Sequence, residues 1–345
     1  MKVFYWSPHI SHVATVTAVI NSALALSRYS SKLMNISIIN TMGEWDEFKK
    51  NFYKEKVSFI DIFKKEYFKS LPRHGFIRSR YSYCKIFILS FFSLKYLLEK
   101  EKPNFLIIHL MTSLPIFINF IFQFDTKFIL RISGHPKLNI FRKYLWKVMG
   151  KNLYKITCPT EATKTYLVNN KIFKSDKIFV LKDPVVEISK INLLKNKSLD
   201  ANILENCKYV ISIGRFTKQK NFLFLIKSFK IISKKNPDFK LVILGNGELE
   251  HDMRKLINSY NLNEKIIILP FQNNVYNFLK NSQCFILSSL WEDPGFVLIE
   301  AASVNKPIIS SDCPNGPLEF LSQGRGGFIY KNNDKFSLVN AFEDF

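Results

Sequence analysis

The sequence predicts an α/β protein built from two doubly wound domains. Short β-branched and aromatic runs alternate with helical patterns along the whole chain, as parallel strands covered on both faces require. That alternation pauses once, through INLLKNKSLDANILENC, and restarts with KYVISIG. At 345 residues the chain is too long for one ordinary hydrophobic core and suits two.

In the first half KVFYW, NISIIN, FLIIHL, KFILRI, YKITC and KIFVL read as strands, with helices expected near 12–29, 79–100, 139–149 and 160–170. In the second half KYVISIG, KLVILG, KIIIL, CFILS and PIISS are the strands, with helices near 221–234, 247–260, 274–281, 295–304 and 316–322. The domains are therefore placed at 1–187 and 207–345, with 188–206 as a linker region. Ligands of such sheets bind at the carboxyl ends of the strands, and with two domains the cleft between them is the expected site.

Composition narrows the class. The chain is 47% hydrophobic and 23% charged, so it is globular rather than disordered. Its five cysteines form no C-x-x-C pair and no spacing with histidine that would build a zinc site, which fits buried reduced thiols and predicts no metal. Net charge is +22, and residues 1–187 hold 30 Lys and Arg against 13 Asp and Glu, so the first half is the basic half. Such a field draws anionic lipid, nucleic acid or phosphorylated substrates, and codon bias toward Lys, Asn, Ile and Phe produces the same balance. Nucleic acid is disfavoured, because the charge is dispersed and no helix-turn-helix, RRM or basic arm is present.

Two segments resemble membrane elements. VATVTAVINSALAL is interrupted upstream by Pro8, His9, Ser11 and His12, and reads as a helix after a first strand rather than a signal peptide. FLIIHLMTSLPIFINFIFQF contains His109, Pro115, Asn119 and Gln123, and divides into a buried strand and a buried helix. The Lys- and aromatic-rich stretch 52–70 reads either as a lipid-facing surface or as a solvated segment with aromatic feet in the core.

The chemistry concentrates in SSLWEDPGFVLIEAA, residues 288–302. A strand runs into a loop, and a helix starts at Gly295 and Phe296, so free backbone N–H groups and a positive dipole end meet the edge of the sheet. Gly295 permits close approach of a phosphate, and Glu292 is held beside that seat. Glu300 interrupts an apolar helix and needs a partner; sugar hydroxyls are natural donors to a carboxylate. In SIGRFTKQKNF a strand ends at Gly214, and Arg215 and Lys220 follow at the mouth of the next helix. Two cations and a helix N-terminus around one pocket suit a diphosphate.

These segments, ISIGRFTKQKN, LVILGNGELE and SSLWEDPGFVLIEAASVNKPIISSDCPNGPLEFL, resemble the donor half of retaining glycosyltransferases of the glycosyl transferases group 1 family, over roughly residues 209–330. The resemblance implies a GT-B fold, two Rossmann-like domains facing across a cleft. It implies that Glu300 binds the ribose hydroxyls of a UDP- or GDP-type nucleotide sugar and that Glu292 positions the sugar. Arg215 and Lys220 would hold the diphosphate with the amides of Gly295, Phe296 and Val297, and Gly247 in GNGEL would lie near the base. RISGHP makes His135 the candidate beside the donor sugar, with His109 the competing histidine.

The same resemblance implies transfer to a glycan or lipid-linked acceptor with retention, without a metal or other cofactor, in cytoplasmic assembly of surface polysaccharide, lipopolysaccharide or glycolipid. Peripheral contact with an anionic membrane is expected from the basic first half. A nucleotide-sugar epimerase with the same donor site and an inactive nucleotide-sugar-binding scaffold are the alternative readings. Three departures stand out: no glycine follows the first strand in SPHISHVAT, Asp293-Pro294 stands where Gly and an aromatic are commoner, and AFEDF ends the sequence where a crossover helix to the first domain is usual.

Overall fold

The structure, a computed structural model, describes residues 1–10, 14–30, 33–52, 55–63, 70–72, 76–136, 138–197, 204 and 207–345. It divides into two compact units, Met1–Pro184 and Val185–Phe345.

The first unit holds the strands β1 (Lys2–Trp6), β2 (Asn35–Asn40), β3 (Val57–Asp61), β4 (Phe105–Ile108), β5 (Lys127–Arg131), β6 (Lys155–Cys158) and β7 (Ile178–Val180). They form one parallel sheet in the order β3-β2-β1-β4-β5-β6-β7. Chain order reverses between β1 and β4, which makes their carboxyl ends the natural ligand position. The period-2 pattern of β1 supplies two cores. Phe4 and Trp6 point toward α2 (Phe76–Glu101), α3 (Ser113–Phe122) and α4 (Ile140–Val148), sharing a core with Leu94, Leu98, Leu114, Ile118 and Leu145. Val3 and Tyr5 face the other way, packing with Val16, Val19 and Ala23 of α1 (Ala14–Tyr29). The first unit also contains α5 (Glu161–Asn169), capped by the Thr160 hydroxyl accepting from the Thr163 amide.

The second unit holds β8 (Lys208–Ile213), β9 (Phe239–Leu244), β10 (Ile266–Leu269), β11 (Phe285–Leu287), β12 (Ile308–Ser311) and β13 (Phe328–Tyr330), parallel in the order β10-β9-β8-β11-β12-β13. Its switch point lies between β8 and β11. Helices α6 (Ile188–Leu194), α7 (Phe222–Lys235), α8 (Glu250–Ser259), α9 (Tyr276–Asn281), α10 (Phe296–Ser303), α11 (Pro317–Phe320) and α12 (Lys335–Glu343) complete it. One face of the sheet packs Val210, Leu241 and Ile243 with Leu225, Phe229, Met253 and Leu338. The other packs Ile211, Val242 and Leu287 with Leu279, Leu298 and Ala301. Each large aliphatic side chain withdrawn in this way contributes about 1.5–3 kcal/mol.

Several expectations change. The segment 188–206 is not a plain linker, since α6 lies in it and buries Ile191 in the second unit's core. The stretch 52–70 contains the edge strand β3, and its residues 53–54 and 64–69 lie outside the described residues. Strand β13 and helix α12 are additional elements, with Leu338, Val339 and Phe342 of α12 buried against the sheet. The apolar segment 105–124 divides into β4 and α3 as expected, and no helix among the described residues is long and apolar enough to cross a membrane.

Candidate functional site

At the second unit's switch point two loops meet, one leaving β8 and one leaving β11. A Cβ on Gly214 would stand 2.9 Å from the Lys220 side chain, so the glycine leaves room for the lysine stem to cross the end of β8. Lys220 Nζ then reaches Glu292 Oε1 at 2.5 Å, and the Ser289 hydroxyl donates to the same oxygen at 2.6 Å. The backbone ties the loops together: the Leu290 amide donates to the Gln219 carbonyl, Gln219 Nε2 donates to the Trp291 carbonyl, and the Ser288 hydroxyl donates to the Lys220 carbonyl. Glu292 is further pinned by backbone bonds to Pro314 and Asn315, on the loop after β12.

Helix α10 starts where that loop ends. Gly295 caps it with φ of 92°, a left-handed conformation that glycine adopts without strain, and as the N-cap residue it offers no side-chain hydrogen bond to the first turn. The first-turn residues are Phe296 and Val297, so their amides lie at the positive end of the helix. Glu300 follows one turn on, half-buried among apolar neighbours. Burial pushes its carboxyl from 4.5 up to about 7, with the positive charge of Lys220 working against the shift. Tyr276 of α9 feels the same carboxylate: burial first, then the Glu300 charge, keeps its phenol protonated. Ser289 and Tyr276 escaped the sequence reading, since neither Ser-Ser nor NNVYNF carries a motif.

Arg215 is exposed immediately after Gly214, while Phe216 is fully buried. Gly247 has a packing reason to be glycine, because a Cβ there would meet the Phe216 carbonyl oxygen at 2.6 Å and its nitrogen at 2.7 Å. The GNG turn thereby locks onto the loop after β8, with the Phe216 amide donating to the Asn246 carbonyl. The structure brings Gly214, Lys220, Glu292, Gly295, Phe296, Val297 and Glu300 to one sheet edge.

The two histidines separate clearly. His135 is exposed and lies against Tyr166, ring centroids 4.4 Å apart. His109 is buried at the end of β4, at the first unit's switch point, where its backbone N–H donates to the Trp6 carbonyl. Its ring stacks on Tyr5, Nδ1 lies 3.2 Å from the Ser133 hydroxyl, and Nε2 has no hydrogen-bond partner among the described residues. Burial, then the nearby Arg131 charge, holds the imidazole neutral, with its pKa lowered from 6.5 to about 3. Among the described residues no group of three or more His, Cys, Asp or Glu is arranged to hold a metal ion.

Residues 195–345 match the sequence profile of the family described as glycosyl transferases group 1. The second unit belongs to the glycosyl transferases group 1 family. The chain is 36% identical over 242 residues to an uncharacterized glycosyltransferase of Methanocaldococcus jannaschii, covering 65% of this chain and 59% of that one. It is 34% identical over 151 residues to the UDP-Gal:alpha-D-GlcNAc-diphosphoundecaprenol alpha-1,3-galactosyltransferase of Escherichia coli, covering 43% and 38%. These matches span less than two thirds of either relative. Among solved structures, TarM superposes with a TM-score of 0.75 at 14% identity, over 100% of this chain and 91% of that one. That likeness establishes the fold: the group 1 unit is one half of a GT-B protein with two parallel-stranded α/β units.

Proposed function

We propose that the protein is a glycosyltransferase that moves a sugar from a nucleotide diphosphate sugar to a glycan or lipid-linked hydroxyl during surface polysaccharide or glycolipid assembly. The observation that carries this reading is the convergence of Lys220, Glu292 and the Gly295-capped N-terminus of α10 at one sheet edge, with the half-buried Glu300 one turn behind. The printed substrate of the Escherichia coli relative, a sugar on a diphosphate-linked undecaprenol, supports a lipid-linked acceptor.

In this reading Glu300 accepts from the ribose hydroxyls, and Arg215, Lys220 and the amides of Phe296 and Val297 take the charge that grows on the leaving diphosphate. Glu292 positions the sugar rather than attacking it, since its Oε1 already serves Lys220 and Ser289. The bond from the anomeric carbon to the diphosphate oxygen breaks while the acceptor oxygen bonds to that carbon on the same face. The acceptor proton passes to the departing phosphate oxygen, so configuration is retained and no protein base or metal is needed. His135, exposed, and His109, neutral with a buried Nε2 that has no hydrogen-bond partner among the described residues, are the two histidines this reading offers for a substrate hydroxyl.

A thermal-shift panel of UDP, GDP, ADP and CMP sugars tests the donor site. Stabilisation by one nucleotide class, abolished in both Glu300→Ala and Arg215→Ala, is the expected result. Folded protein that responds to none of them would overturn it.

A further inference from the structure

The outward face of α2 is unlike an ordinary solvated helix. Its buried positions Ser82, Ile86, Ser90, Leu94 and Leu98 recur every four residues and seat it on the first unit. On the opposite side Tyr81, Ile88, Phe92 and Tyr96 stand exposed, at 60%, 69%, 75% and 63%. These four side chains share one face over four turns, a stripe about 22 Å long at 1.5 Å per residue. Arg78, Arg80, Lys85, Lys95 and Lys100 lie on the same helix, against only Glu99 and Glu101.

Neighbouring helices extend the stripe. Phe122 of α3 packs near Phe91, Lys95 Nζ lies 4.9 Å from the Phe122 ring centroid, and Phe120 and Ile121 beside it are exposed. Helix α4, over the same sheet face, exposes Ile140, Phe141 and Tyr144 and carries Arg142, Lys143 and Lys147 with no acid. Large apolar side chains are costly to keep in water in such number without a partner. The pairing of apolar bodies with a fringe of cations is the composition that a charged lipid interface accepts.

We propose that the outward face of α2, continued by α3 and α4, is a docking surface for a bilayer that carries anionic headgroups. Tyr81, Ile88, Phe92 and Tyr96 enter the headgroup region, and Arg78 and Lys85 meet the lipid phosphates. Charge complementarity selects this occupant over a neutral protein surface, because the first unit holds most of the chain's positive charge. The surface differs from the 52–70 stretch that the sequence singled out. It deepens the transferase reading by bringing the protein to the plane of a lipid-linked acceptor, yet it needs neither donor nor acceptor to operate.

The test is co-sedimentation of the full chain with vesicles of phosphatidylcholine alone and with about a quarter phosphatidylglycerol, without nucleotide sugar or glycan, over a salt series. Binding to the anionic vesicles that weakens with salt is expected, and Ile88→Ser/Phe92→Ser should lower it about tenfold. Arg78→Glu/Lys85→Glu, a second variant that leaves the apolar stripe intact, should lose only the anionic preference. Wild-type protein that stays in the supernatant, or variants that sediment equally well, would overturn the proposal. So would a wild-type dimer that the serine variant splits while vesicles are ignored, because the face would then belong to a second copy. Failure of the donor screen leaves this readout unaffected, so the two readings fall separately.

Discussion

Lys220 Nζ stands 2.5 Å from Glu292 Oε1, joining loops that lie 72 residues apart in the chain. Both side chains are largely withdrawn from water, at 15% and 8% exposure, so each is the other's main source of charge compensation. The cation proposed for the diphosphate is thereby held in place by the carboxylate proposed for the sugar.

That dependence is measurable by a double-mutant cycle. Lys220→Met strands Glu292 with Ser289 as its remaining side-chain donor and should cost about 1–3 kcal/mol in urea unfolding. Adding Glu292→Gln should restore at least about 1 kcal/mol of the summed losses. Strict additivity would show that the contact carries no coupling.

Glu300 gives a pH signature. Its folded pKa, about 7, lies above the ordinary 4.5, so its contribution to stability is fully present below 4.5 and is lost as pH rises through 7. Glu300→Gln lacks that loss and should be more stable than wild type above pH 7 by about 1–3 kcal/mol, with the difference vanishing near pH 4. If ribose hydroxyls donate to the ionised carboxylate, calorimetric donor affinity should fall about tenfold from pH 8 to pH 6 in wild type and stay flat in the glutamine variant.

Much of this site was legible because its residues sit beside strong local signals. KYVISI and FKLVIL can only be buried parallel strands, and Pro-Gly before an apolar run marks a helix start. What local pattern could not show was pairing: nothing in the sequence couples position 220 to position 292. Strand β3 was missed because an edge strand is half exposed, and Ser58 and Asp61 break its apolar run. The histidine question had the same character. RISGHP and FLIIHL both place a histidine near a strand end, and only the packing of Tyr5 and Arg131 around His109 distinguishes them.

The glycines offer a graded test of the loop geometry. Gly247→Ala drives a Cβ into the Phe216 backbone and should cost about 2 kcal/mol or more, displacing the loop that carries Arg215. Gly134→Ala, where nothing lies within 4 Å, should stay within about 0.5 kcal/mol of wild type. Thermal melts of the two variants decide the matter, and equal losses would contradict the close approach at Gly247.

His109 provides the sharpest separation between structure and function in the first unit. Its folded pKa, about 3, lies below the ordinary 6.5, so its contribution to stability is present above 6.5 and is lost as pH falls from there toward 3. Replacing it with Gln removes the titrating group, and the fall in stability between pH 7 and pH 4 should shrink by roughly 2–3 kcal/mol. Activity should respond differently. If Nε2 holds a substrate hydroxyl as a neutral group, the transfer rate of His109→Gln should drop about a hundredfold at pH 7, where the stability change from titration is small. His135→Ala should leave the rate within about threefold, since its ring is exposed and rests on Tyr166. The opposite ranking of the two variants would return the role to His135 and make His109 a packing residue.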